Sequence, residues 1–174
     1  MKVIKNRLIM IKDKELEYDS LDTTESVYEF LKDKLELHKE PEEVVVMLAL
    51  DNKLNVVSYC DVSRGEISST LVSPREIFKR ALVSNAKGII IAHNHPSGNV
   101  SPSYKDDNVT RLIKDAGEII GIKLLDHIIV GDKEYYSYFD NNPNLVDSYD
   151  ENIFLKTIEN KKEKNKKSKK ERIY

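Results

Sequence analysis

Cysteine is almost missing: Cys60 stands alone in 174 residues. No internal disulfide can form, a cysteine-rich zinc cluster is excluded, and a reducing compartment, by default the cytoplasm, is the expected location. Long apolar runs are missing too. No stretch approaches the ~18 apolar residues that a spanning helix needs. The N-terminal MKVIKNRLIMIKDKEL interrupts its apolar positions with charges, so no signal peptide is expected. There is also no internal repeat. What remains is a chain with 40% hydrophobic residues, the range of an ordinary globular protein, and long enough for one domain with a real core.

Charge is unevenly spread. The stretch 161–172, KKEKNKKSKKER, holds eight Lys/Arg and two Glu, a net +6 against −2 for the whole chain, which leaves −8 on the rest. A dense like-charge tract without apolar residues cannot pack, so a disordered tail is expected from about residue 160. It could touch nucleic acid or an acidic surface, but no aromatic residue alternates with its lysines to stack on bases.

Periodicity and punctuation place the elements. MKVIKNRLIMIK reads as a short edge strand or hairpin. Asp22 stands three places before Glu25, with Val27, Phe30, Leu31 and Leu35 at helical spacing, which predicts a helix over 24–37 stopped by Pro41. VVVMLAL and LNVVSYC flank Asp51-Asn52-Lys53 as an antiparallel hairpin, the first strand buried on both faces, and EISSTLV is a candidate third strand. Ser73-Pro74 with Glu76 opens a second helix that ends near Gly88. GIIIAH is too short and too β-branched for a helix and reads as a central strand. Ser101-Pro102 starts another helix, with Val109, Leu112, Ile113, Ala116, Ile119 and Ile120 on one side and Gly121 closing it. KLLDHIIVGD and EYYSYF finish as strands. The order predicts an α/β protein whose mixed sheet is flanked by helices.

One segment carries chemistry. In IIIAHNHPSGNVSPSYKDD, 89–107, His93 and His95 are i and i+2 on a strand, on one face about 6.6 Å apart, and Pro96 ends the ladder. Ser103 and Asp106 are i and i+3 on the next helix and share a face near its start, whereas Asp107 is turned away. The intervening PSGNVS loop is short enough to fold Asp106 back onto the histidines. Two imidazoles and a carboxylate leave an open corner for water, the catalytic pattern for zinc. An isolated His-x-His is usually a pair of satisfied histidines. Here the proline, the glycine, the helix start, Ser103 and Asp106 all coincide, and the metal reading prevails. His38 reads as a surface residue at a helix end, and His127 as a hydrogen-bonded core histidine.

HNHPSGNVSPSYKD fits His-x-His-x7-Ser-x2-Asp and so resembles the JAMM metalloproteases of the MPN (JAB) domain. The wider text PREIFKRAL, AHNHPSG and AGEIIGIKLLDHIIVGD is similar to the RadC branch, from about Thr24 to Phe139. The resemblance implies a cytidine-deaminase-like α/β fold over 23–145, between an N-terminal extension (1–22) and a C-terminal tail (146–174). It implies one zinc per chain on His93, His95 and Asp106, and peptidase or isopeptidase chemistry on a peptide or protein substrate. It also implies a glutamate base from an early strand. Matching EEVVVMLALD selects Glu43 ahead of Glu42, although both could be solvated charges at a helix-to-strand junction. Glu66 and Glu76 are weaker candidates, Glu76 being accounted for as a cap. Ser103 would steady the oxyanion together with the metal. The helix-hairpin-helix region usual in RadC proteins has no counterpart expected in the 42 residues before Glu43. Gly65-Glu66-Ile67-Ser68 departs from the family text and places an acidic side chain near the presumed cleft.

The rivals are few. A zinc deaminase needs a Pro-Cys-x-x-Cys pair, which the single cysteine excludes. The contiguous His-Asn-His is not the HNH nuclease motif, whose residues are spread over a ββα-metal element. An iron oxygenase would leave the Ser-x-x-Asp helix without purpose. The alternative from another class is a DNA-associated metal-binding module without peptidase activity, anchored by its basic tail.

Overall fold

The computed structural model describes residues 13–18, 21–65 and 72–148, together with residues 3 and 5. The expected N-terminal edge strand, most of EISSTLV with Glu66, and the basic tail lie outside the described residues.

β1 (Val44–Leu50) and β2 (Val56–Arg64) form the predicted hairpin. The Asp51 carboxylate ties its turn by accepting from the backbone N–H groups of Lys53 and Asn55. β3 (Gly88–Asn94) pairs antiparallel with β1 and parallel with β4 (Lys123–Val130), and β5 (Tyr135–Ser137) closes the far edge antiparallel to β4. The order β2-β1-β3-β4-β5 makes a mixed sheet with β3 at its centre. Every residue of β1 and of β3 is buried, which is why both read as near-continuous apolar runs rather than as alternation.

Helices cover both faces. α1 (Thr24–Glu29), continued by a π-helical turn over Phe30–Lys34, packs Val27, Phe30 and Leu31 against Val46, Leu48, Ile90 and Ile128. α2 (Pro74–Val83) and α3 (Tyr104–Ile120) pack Ile77, Phe78, Val109 and Ile113 against Met47, Ile89 and Ile91 on the other face. After β5 come a single α-helical turn, α4 (Tyr138–Asn141), and a 3-10 turn over Pro143–Leu145 that leads Val146 into the core.

Several local expectations shift. The cap of α1 is Thr23 paired with Ser26, not Asp22 with Glu25, and the helical run ends at Lys34 because Glu36 adopts a left-handed φ of 50°. α2 is capped by Ser73 as predicted but stops at Val83. Gly88 opens β3 instead, where a Cβ would lie 2.7 Å from Leu125 Cδ1. α3 begins two residues later than Ser101-Pro102 implies, with Ser103 as its cap, and Leu112, Ile119 and Ile120 face outward rather than into the core. Gly121 closes α3 with φ 80° as expected. His38 is not a surface residue: its side chain is 10% exposed, with Nε2 3.7 Å from Asp132.

One buried acid makes the fold pH-dependent. Asp126 accepts from the backbone N–H of His127 and Phe139 and from the Ser137 hydroxyl, yet burial outweighs these donors and pushes its carboxyl up to about 7. The folded chain thus holds a proton that the unfolded chain, titrating near 3.8, has already released. This contribution to stability is present below about pH 4 and is lost as pH rises to about 7, a few kcal/mol in all. Asp126→Asn keeps an oxygen for the two backbone donors and carries no charge. In urea titrations, its stability relative to the parent should rise steadily between pH 4 and 7; a parallel pair of pH curves would refute the account.

Candidate metal centre

The site is built at the carboxyl end of β3. Alternation along the strand puts Ile89, Ile91 and His93 on the face covered by α3, while Asn94 turns to the opposite face. Asn94 is buried and ties down the chain entering β1: its side-chain oxygen accepts from Val44 N–H, and its amide donates to the carbonyls of Glu40 and Glu42. The middle residue of His-Asn-His thus fixes the segment that carries Glu43.

His95 lies just past the strand. Its Nδ1 is 2.6 Å from the carbonyl oxygen of Asn99, which can only accept, so Nδ1 carries the proton and donates. In the neutral ring Nε2, which faces inward, then carries the lone pair. His93 Nε2 lies 3.0 Å from His95 Nε2. Asp106 completes the group, with Oδ1 3.4 Å from His93 Nε2 and Oδ2 3.6 Å from His95 Nε2. One ligand atom from each residue lies within 4.8 Å of the others.

Asp106 is delivered by the start of α3. Ser103 and Asp106 form a reciprocal capping box: the Ser103 hydroxyl accepts from Asp106 N–H, and Asp106 Oδ2 accepts from Ser103 N–H at 2.7 Å and from its hydroxyl at 2.6 Å. Asp107, turned away as expected, accepts from the Tyr138 hydroxyl. The Ser-x-x-Asp spacing is therefore a helix-capping device that also aims a carboxylate.

The electrostatics match. Burial holds His93 well below the ordinary imidazole value, with His127 adding to the effect. Burial alone would raise the Asp106 carboxyl, but the neighbouring His95 and His93 rings and the Ser103 donors hold it well below the usual carboxylate range. In turn Asp106 raises the pKa of His95. A buried carboxylate and two imidazole nitrogens brought this close together form a group that could hold a metal ion.

Glu43 immediately precedes β1. Val45 pairs with His93, and Gly65 N–H donates to the Glu43 carbonyl at 2.8 Å, so the ladder extends to Glu43 and puts it on the His93 face. Its charge acts on His95, whereas Glu42 acts on Arg64. Of the two glutamates, Glu43 is the one whose charge reaches the centre. Glu76 is engaged with Lys79 and Arg80, away from the site.

Two residues at the centre had no assigned part in sequence. His127, on β4, has Nε2 2.8 Å from His93 Nδ1, and Thr110, on α3, has its hydroxyl 2.6 Å from His127 Nδ1. His127 is indeed a hydrogen-bonded core histidine, with a pKa that burial brings down to about 4. Its link to His93 was not foreseen.

A mixed five-stranded sheet between helices, with two histidines at the end of its central strand and an aspartate from the following helix, defines an α/β domain of the JAB (MPN) class. The family described as RadC-like JAB domain matches residues 21–143, and the chain belongs to it. It is 50% identical over 99 residues to a UPF0758 protein of Clostridioides difficile, covering 57% of this chain and 42% of that protein. It is 39% identical over 120 residues to a UPF0758 protein of Thermotoga maritima, covering 69% and 53%. A UPF0758 protein of Trichlorobacter lovleyi is 42% identical over 106 residues, covering 61% and 46%. The chain thus spans about half the length of the curated relatives it matches. Among the described residues no helix is long and apolar enough to cross a membrane.

Proposed function

We propose that this chain is a zinc-dependent hydrolase of amide bonds, a peptidase or isopeptidase working in the cytoplasm on a peptide or protein substrate. The convergence of His93, His95 and Asp106, with the charge of Glu43 reaching His95, carries this reading. His93 and His95 would hold the ion through Nε2 and Asp106 through its carboxylate. Zinc bound there would supply Lewis acidity and bring the pKa of a water toward ~7.

The chain's own groups do the rest. Glu43 takes a proton from the attacking water as its oxygen bonds to the amide carbon, then passes that proton to the nitrogen as the C–N bond breaks. The Ser103 hydroxyl, turning from Asp106 Oδ2, donates to the carbonyl oxygen as charge develops there. A donor of this kind contributes roughly 2.7–4 kcal/mol to the barrier.

Elemental analysis of purified protein should find one zinc per chain, and digestion of a peptide library should yield cleavage that a chelator abolishes. Metal-free protein after zinc loading would overturn the reading. Salt-sensitive DNA binding lost on deleting 161–172, with no peptide cleaved, would replace it with a DNA-associated metal-binding module.

A further inference from the structure

We propose that His127, oriented by Thr110, is a positioning residue that locks His93 in the tautomer whose Nε2 is free to bind a metal ion. The inference rests on the metal reading of His93, His95 and Asp106.

The Thr110 hydroxyl oxygen lies 2.6 Å from the main-chain carbonyl oxygen of Asp106. A carbonyl has no proton, so the hydroxyl hydrogen must lie between these two oxygens; otherwise two sets of lone pairs would meet at that distance. Thr110 can then only accept at its second contact, 2.6 Å from His127 Nδ1. His127 therefore carries its proton on Nδ1 and presents a bare Nε2. That nitrogen lies 2.8 Å from His93 Nδ1, which must be the donor. With its proton on Nδ1, a neutral His93 has its lone pair on Nε2, the atom that faces Asp106 and His95. Each proton placement forces the next, from a helix carbonyl to the ligand atom.

The surroundings fix the relay in place. The His127 ring stacks on Tyr138, with centroids 5.1 Å apart and planes 9° apart. His93, Thr110 and His127 are each at most 1% exposed, so water does not compete for these contacts. His127 owes its position to an irregularity in β4. Ile89 pairs with Leu124 but Ile90 with Asp126, so Leu125 is an extra residue. Leu124 and His127, three apart, would face opposite sides of a regular strand; the bulge turns both toward α3. His95 reaches the same tautomer by a shorter route, through the Asn99 carbonyl. A histidine relay in place of a carbonyl is a case of the outer partner setting which ring nitrogen is free.

Long-range proton–nitrogen NMR on metal-free protein reads the tautomers directly. The expected result is Nδ1–H on both His93 and His127; Nε2–H on His93 would overturn the proposal whether or not zinc binds. Thr110→Val keeps the shape but removes the hydroxyl, and Thr110→Ser restores it. Zinc affinity should fall roughly 10- to 100-fold in the valine variant and stay within about threefold of the parent in the serine variant. Equal affinity in parent and valine variant, with both folded, would overturn the relay while leaving the metal site intact. Failure of the parent to bind zinc would count against the metal site instead, and the NMR result would still judge the relay.

Discussion

Glu43→Gln should bind as much zinc as the parent and hydrolyse roughly 10²- to 10⁴-fold more slowly, the range over which a positioned acid–base group accelerates a reaction. The two properties separate because of where Glu43 sits. Its charge reaches His95, but the cluster that could hold an ion consists of His93, His95 and Asp106. Glutamine preserves the size of the side chain and its place before β1, where Asn94 clamps the carbonyls of Glu40 and Glu42 and the N–H of Val44. It can still hydrogen-bond a water, but it cannot take a proton from one. Zinc content by elemental analysis and cleavage of a library-derived peptide measure the two halves. Parental turnover would remove Glu43 from the reaction; loss of zinc would make it a ligand. Glu42→Gln is the matched control, since that side chain acts on Arg64 on the other side of the chain, and it should retain activity.

The centre was legible in sequence to the extent that its geometry is local. His93 and His95 share a face by strand periodicity, and a short loop returns Asp106 to them. Both facts need only a strand, a proline and a helix cap. Even so, Ser101-Pro102 has the form of a helix start, and it masks the Ser103-to-Asp106 capping box two residues later. On α3, Ile119 and Ile120 fit the helical period but follow the last buried residue of the helix, Gly117, and Ile119 is 88% exposed. His127 and Asn94 were illegible because their partners are distant along the chain. The first needs the parallel pairing of β3 with β4 and a bulge at Leu125; the second needs β1 beside β3. Periodicity within one segment reports neither. Glu43 was reached through resemblance alone, and the register of β1 against β3 then gives the physical reason for preferring it to Glu42.

Asp106→Asn should abolish zinc binding while leaving the metal-free fold close to the parent. Asparagine keeps a side-chain oxygen for the Ser103 N–H and hydroxyl, so the reciprocal half of the α3 capping box survives, whereas alanine would leave only the bond from the residue-106 N–H to the Ser103 hydroxyl. What disappears is the negative charge between His93 and His95. A ligand that binds only the folded state stabilises it by about 2.7 kcal/mol when present at 100 times its Kd. Added zinc should therefore raise the melting temperature of the parent by several degrees and leave that of the asparagine variant unmoved. The parent's response should also depend on pH in a defined direction. Asp106 raises His95 above its ordinary 6.5, and a protonated His95 has no lone pair to offer. Zinc must displace that proton, so its stabilising effect grows as pH rises through the raised value and fades below it. A melting temperature in the asparagine variant that still climbs with zinc would show that the carboxylate is not a ligand, and the hydrolase reading would fall with it.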